Sequence, residues 1–217
     1  AAFVVTALAG RWLIPVLRRM KAGQSIKEIG PTWHMTKQGT PTMGGLMFIF
    51  GTAVMVAVLG WPDYTKGVLG GVFVFLFALV FGIIGYIDDY FKVKKHENTG
   101  LTAPQKFLLQ LAAAVLFTVL LRNFGYLTPD LYLPFANVTL SIPWGIYMVF
   151  AAFVMVGCVN AVNITDGIDG LAAGVTVPVM AFFTVVALLW KQEELGIFSG
   201  ALLGGLLAFL LYNFHPA

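Results

Sequence analysis

Apolar residues run along this chain in long blocks, and polar residues collect between them. Seven blocks stand out, roughly at 2–17, 43–60, 67–87, 107–121, 143–162, 170–190 and 196–213. A helix needs about 20 apolar residues to cross the hydrocarbon core of a bilayer. The longer blocks reach that length, and the shorter ones can be accommodated by tilt or by snorkelling ends. The pattern predicts an all-α polytopic integral membrane protein, with about seven transmembrane helices in one transmembrane domain over 1–217. The pairs Gly44-Gly45, Gly70-Gly71 and Gly204-Gly205 belong to these blocks and predict close helix approach rather than phosphate loops. Between the fourth and fifth blocks, Leu131 to Leu140 carries strand-forming residues around an Asn turn, which predicts a short external β-hairpin.

Composition sharpens this picture. Hydrophobic residues make up 59% of the chain and charged residues 11%, against about a quarter charged in a soluble domain. A soluble globular fold is thereby disfavoured, and nucleic acid is not an expected partner. Cys158 is the single cysteine, so disulfides and cysteine metal clusters are unavailable within one chain. In its apolar stretch it reads as a small buried apolar residue. The chain opens inside an apolar block with no basic leader, so no signal peptide is expected and the first span is entered part-way.

Charge gives the direction of threading. The first loop carries Arg18, Arg19, Lys21, Lys27 and Lys37, and the third carries Lys92, Lys94, Lys95 and Lys106. The second, fourth and sixth hold one basic residue each: Lys66, Arg122 and Lys191. The odd loops thus hold nine basic residues against three, and the positive-inside rule places them in the cytoplasm. The polar motifs then fall on that one face.

The most informative motif is Asp88-Asp89, at the end of the third block in Gly85-Tyr-Ile-Asp-Asp-Tyr-Phe-Lys92. A carboxylate at a membrane boundary is costly and marks a functional site by default. Two adjacent carboxylates repel unless a cation shares them or one stays protonated, and Mg²⁺ or Mn²⁺ suits their oxygens. Lys92 follows Asp88 by four residues and Asp89 by three, so a continuing helix would put all three on one face. Lys92 is therefore the preferred phosphate ligand, while Lys94 and Lys95 read as headgroup anchors. In Asn160-Ala-Val-Asn163-Ile-Thr-Asp166-Gly-Ile-Asp169-Gly170 the polar residues recur every three positions. On a helix or tight helical turn they would share a stripe able to bind a sugar or nucleoside, or to complete a metal site through water. The competing reading is that the two aspartates cap the next helix. The run Lys37-Gln-Gly-Thr-Pro-Thr42-Met-Gly-Gly45 leads into the second block, where Thr40 or Thr42 would cap the helix. His34, His96 and His215 lack metal-ligand spacing.

These residues resemble the polyprenyl-phosphate N-acetylhexosamine-1-phosphate transferase superfamily. Three stretches carry the match: Gly30-Pro31 through His34 to Lys37–Gly45; Gly85–Lys92 with Gly100-Leu101 and Gln105-Lys106-Phe107; and Asn160–Gly174. The Lys37–Gly45 run points to the muramoyl-pentapeptide branch. The resemblance implies a bacterial inner-membrane enzyme, a phosphoglycosyl transferase of peptidoglycan synthesis with a cytoplasm-facing site. UDP-N-acetylmuramoyl-pentapeptide would be the donor and undecaprenyl phosphate the acceptor. Lipid I and UMP would be the products, and Mg²⁺ the cofactor. It assigns Asp88 to activation of the lipid phosphate, as base or nucleophile, and Asp89 to the metal or to shaping the site. Asn163, Asp166 and Asp169 would lie in the nucleotide-sugar site, Lys92 and Lys106 in the cytoplasmic cleft, and Lys37 and Thr42 on its rim. It further implies ten spans in a whole family member, a chain truncated at both ends, and a principal metal-binding Asp beyond Ala217. A homodimer is compatible with this reading. Two alternatives stand beside it: the N-acetylglucosamine-1-phosphate branch, and an ion-coupled transporter using the same aspartates. Transporter sites lie near the bilayer midplane within paired repeats, whereas these acids sit at segment ends.

Overall fold

The structure is a computed structural model that describes residues 1–19, 43–95 and 100–214. Lys37, Thr40, Thr42 and the three histidines lie outside the described residues. In chain order the elements are α1 (Ala2–Arg19), α2 (Leu46–Leu59), α3 (Trp61–Tyr64), α4 (Gly70–Lys95), α5 (Ala103–Asn123), β1 (Asp130–Leu133), β2 (Val138–Ser141), α6 (Trp144–Thr165), α7 (Leu171–Leu189) and α8 (Glu193–Asn213). Each of the seven apolar blocks is a helix, as the hydrophobic pattern predicts. Among the described residues, five helices are long and apolar enough to cross a membrane: α4, α5, α6, α7 and α8. α1 carries Arg11, Arg18 and Arg19 within its 18 residues. α2 has 14 residues and rises only about 21 Å at 1.5 Å per residue, short of a hydrocarbon core of about 30 Å.

Local chemistry sets the helix ends. α4 runs straight through Asp88-Asp89, because the following Tyr-Phe-Lys-Val-Lys contains neither Gly nor Pro. The aspartates therefore lie on a helix and not in the loop that the apolar pattern ends at. α5 opens with a capping box: Gln105 N donates to Thr102 Oγ1 at 3.4 Å, and Thr102 N donates to Gln105 Oε1 at 3.0 Å. α6 ends at Thr165 and α7 begins after Gly170, whose φ of +73° suits glycine. α2 starts from Gly45, and the threonines expected to cap it lie outside the described residues.

The chain divides into two compact units, Ala1–Leu101 with Thr165–Ala217, and Thr102–Ile164. In the larger, α8 is the packing centre, touching α1, α2, α4 and α7. Small residues make this possible. A Cβ on Gly205 would lie 3.2 Å from Phe48 Cβ of α2 and 3.4 Å from Thr6 Oγ1 of α1, so three helices meet at that glycine. A Cβ on Gly204 would lie 3.2 Å from Ala2 Cβ, and one on Gly71 would lie 2.6 Å from the Glu194 carbonyl oxygen. Polar groups close the same contacts. Tyr212 donates to the Ala7 carbonyl at 2.7 Å, and the Thr184 and Ser199 hydroxyls meet at 3.1 Å. Such close backbones with interhelical hydrogen bonds are the usual adhesive where lipid removes the hydrophobic drive between helices.

The smaller unit holds α5, the hairpin and α6. Ala114 packs with Ala152 and Val156. The antiparallel hairpin pairs Leu131 with Leu140 and Leu133 with Val138. Asn137 takes φ +50° at its turn, where Tyr132 Oη donates to Asn137 Oδ1 at 2.8 Å. The predicted hairpin is thus present around the predicted Asn. Cys158 departs from expectation: it is exposed, on an α6 face turned away from the packed Ala152 and Val156.

Close packing at Gly205 is open to test. Gly205→Leu should destabilise the detergent-solubilised protein by about 1–3 kcal/mol through overpacking. Gly200→Ala, whose Cβ would make ordinary contact with Thr184 at 3.5 Å, should stay within about 0.5 kcal/mol. Thermal or denaturant unfolding of the two variants checks both values.

Candidate active site

The last turns of α4 carry the chemistry. Asp88 is 7% exposed, and burying a carboxylate is tolerable only when its oxygens are satisfied. Oδ1 accepts from the Leu101 backbone N–H at 2.8 Å, and Oδ2 faces Lys92 Nζ at 2.8 Å. Lys92 also lies 3.1 Å from Asp89 Oδ1. One ammonium therefore bridges both carboxylates, as the three- and four-residue spacings predict for a continuing helix. The repulsion between adjacent aspartates is answered first by this lysine. Asp89 stays more open, with its side chain 41% exposed. Lys94 lies 6.0 Å from the Tyr90 ring centroid, at the outer reach of a cation–π contact.

The turn between α6 and α7 adds Asp166 and Asp169 to the same unit. Gly167 N donates to Thr165 O at 2.8 Å and Leu171 N to Ile168 O at 3.1 Å, which folds the turn tightly. Asn213 Oδ1 of α8 accepts from Gly170 N at 3.1 Å and holds the start of α7. Asp166 is exposed, yet neighbouring chain removes water from part of its carboxyl. That partial burial, followed by the charges of Asp89 and Asp169, pushes its pKa above the usual carboxylate range. Neither aspartate caps α7, whose N-cap is Gly170.

The Asn160–Asp169 motif does not form one stripe. The helix stops at Thr165, so Asn160 and Asn163 belong to α6 of the smaller unit while Asp166 and Asp169 lie in the glycine-broken turn of the larger. Within the smaller unit, Asn160 Nδ2 donates to Gln110 Oε1 at 2.7 Å, and Lys106 Nζ donates to Asn163 Oδ1 at 3.3 Å. Lys106 and Gln110 are one turn apart on α5, so the two pairs form successive rungs. Gln110 is 2% exposed. The sequence reading passed over it, although a lone glutamine in an apolar block, four residues after Lys106, was the available signal. The contacts of Leu101 with Asp88 and of Asn213 with Gly170 depend on the chain path and leave no local signal in the sequence.

Among the described residues, no group of three or more His, Cys, Asp or Glu converges on a metal position. Asp89 and Asp166 are close enough for the charge of one to raise the pKa of the other. Mg²⁺ is commonly held by one or two carboxylates, with waters and substrate phosphates filling its shell. The pair fits that partial role.

Fold and site together define a multi-pass membrane protein with an acid–lysine turn at a helix end, and the comparisons agree with this class. The pattern of glycosyl transferase family 4 matches residues 72–217, and the chain belongs to that family. Residues 37–49 match signature 1 of the phospho-N-acetylmuramoyl-pentapeptide-transferases, a segment that includes the Lys37–Gly45 run. Proteins named phospho-N-acetylmuramoyl-pentapeptide-transferase are similar throughout. The one from Clostridium acetobutylicum is 44% identical across 99% of this chain and 66% of its own length. That from Caldanaerobacter subterraneus is 42% identical across 99% and 66%, and that from Staphylococcus carnosus 42% across 100% and 67%. The chain thus spans about two-thirds of the length of these curated relatives.

The raised pKa of Asp166 has a measurable consequence. A carboxyl raised in the folded state contributes stability below its unfolded pKa, and loses it as pH rises through the folded pKa. Ionised Asp166 is therefore a burden at neutral pH in the absence of divalent cations. Asp166→Asn should melt higher than the parent at pH 8 in chelator. The difference should shrink to nothing as pH falls below about 4, the ordinary carboxylate value. Thermal unfolding across that pH range checks the sign.

Proposed function

We propose that the protein containing this chain transfers phospho-N-acetylmuramoyl-pentapeptide from UDP-N-acetylmuramoyl-pentapeptide to undecaprenyl phosphate, releasing UMP and forming lipid I. The observation that carries the reading is the Asp88 carboxylate, buried at the end of an apolar helix and held between Leu101 N–H and Lys92. It is a carboxylate held in place at the end of an apolar helix, as a group acting on a lipid phosphate would be. The names of the relatives and the signature over residues 37–49 support the muramoyl-pentapeptide donor over N-acetylglucosamine.

In this reading Asp88 activates the lipid phosphate, as base or as attacking carboxylate. Lys92 neutralises charge that gathers on phosphoryl oxygens. Asp166 and Asp169 contact the nucleotide sugar from the glycine-broken turn, and Lys106 and Asn163 contact substrate from their own unit. Lys37 and Thr42 belong to the rim of the cleft. Asp89 and Asp166 would hold Mg²⁺, which supplies neutralisation of the donor diphosphate when bound. The basic odd-numbered loops support a site on the cytoplasmic face of a bacterial inner membrane, where a nucleotide donor is available.

Three measurements test the proposal. Membranes carrying the complete protein, given undecaprenyl phosphate and Mg²⁺, should release UMP with the muramoyl-pentapeptide donor and not with UDP-N-acetylglucosamine. Asp88→Asn should lower turnover by about 1,000-fold or more while the protein stays folded, the scale for losing an activating group. Release only with the second donor moves the protein to the sister branch, and near-normal turnover in Asp88→Asn removes its assigned role. For orientation, single cysteines from Ile168→Cys and Thr128→Cys are placed in a Cys158→Ala background. In intact spheroplasts, an impermeant thiol reagent should label position 128 and spare position 168.

A further inference from the structure

Gly100 and Leu101 follow the end of α4 and return to the side of Asp88. The approach is too close for any side chain. A Cβ built on Gly100 would collide with Asp88 Oδ1 and would stand 2.5 Å from the Asp88 backbone oxygen and 2.9 Å from its Cγ. The backbone oxygen cannot rotate away, since it belongs to the helix. Only glycine allows such a backbone approach. The next residue then delivers its N–H to Asp88 Oδ1 at 2.8 Å. Lys92 holds Oδ2 from within α4, one turn further on. Both oxygens therefore have a donor, and the two donors come from opposite directions. Lys92 alone, on a flexible stem and also drawn to Asp89, would leave the carboxylate free to turn about χ2.

We propose that Gly100 and the backbone N–H of Leu101 are positioning elements for Asp88, fixing the direction in which its carboxylate meets the lipid phosphate. The inference rests on the activating role given to Asp88 above. A misplacement of about 1 Å can cost 100-fold in rate, so fixing this carboxylate is worth a dedicated strand of backbone. The role assigned is to orient and not to bind, so the effect belongs in kcat and not in the KM of the nucleotide donor.

The test uses the complete protein in membranes, assayed by UMP release. Gly100→Ala should lower kcat by about 100-fold with the donor KM unchanged. Gly82→Ala, whose Cβ would make ordinary contact with Ile49 at 3.8 Å, should keep parent activity. Because Gly100→Ala could fail to fold, a second variant replaces Leu101 with its α-hydroxy analogue, turning the amide N–H into an ester oxygen with no added atom. It should lose kcat by about tenfold or more, the scale for one hydrogen bond to a charged group, again with KM unchanged. Parent-level kcat in the ester variant, or a loss confined to KM, overturns the inference. Amide hydrogen exchange reads the geometry without activity: Leu101 N–H should be protected in the parent and exchange freely in Asp88→Ala. If the parent releases no UMP, the functional reading fails while protection of Leu101 N–H still upholds the contact. A rapidly exchanging Leu101 N–H in the parent overturns the contact itself.

Discussion

A carboxylate buried at the end of an apolar helix must find its partners within the protein. Asp88 is such a group, and the local architecture follows from satisfying it. α4 has to continue past the aspartates so that Lys92 reaches Oδ2 from the next turn. The chain after α4 has to come back so that Leu101 N–H reaches Oδ1. Gly100 has to be glycine for that return to be possible. Each requirement lies in a different link, from sequence spacing through backbone path to electrostatics. Together they leave a charged group with a fixed direction at a membrane boundary, which is what phosphoryl chemistry on a lipid requires.

The rest of the larger unit acts as the frame for this turn. α8 is lined with small residues where it meets α1 and α2, and Asn213 at its end holds the Gly170 N–H. The frame therefore reaches to the start of α7, directly after the turn that carries Asp166 and Asp169. The strain left in that turn is electrostatic: Asp166 is partly dehydrated and faces two other aspartates. Carboxylates gathered in this way suit a site that receives a cation or a cation-bearing substrate. In the smaller unit the Lys106–Asn163 and Gln110–Asn160 rungs do comparable work, giving polar side chains partners inside an apolar helix pair.

Much of this was legible from the sequence. Seven apolar blocks became seven helices, the hairpin formed around Asn137, and Lys92 met both aspartates at the spacing that helical periodicity implies. These features depend on local periodicity, which a sequence displays directly. Others depend on chain path and could not be read. That Gly100 lies against Asp88 requires knowing where the chain turns after α4. The three-residue spacing of Asn160, Asn163, Asp166 and Asp169 suggested one stripe, but α6 ends at Thr165, between the second and third members, and the turn that follows contains Gly167 and Gly170. Cys158 was read as buried because its neighbours are apolar, and in a spanning helix apolar surroundings do not distinguish an inward face from an outward one.

The central claim is that Asp88 acts through the direction of its carboxylate and not through charge alone. Asp88→Glu separates the two, since it keeps the charge and moves the carboxylate out by one methylene. UMP release by this variant of the complete protein, under saturating donor and lipid, is the direct measurement. The account predicts a fall of about 100-fold or more in folded protein with an unchanged donor KM. Turnover within a few-fold of the parent would show that the pinned geometry does not matter and would contradict the account.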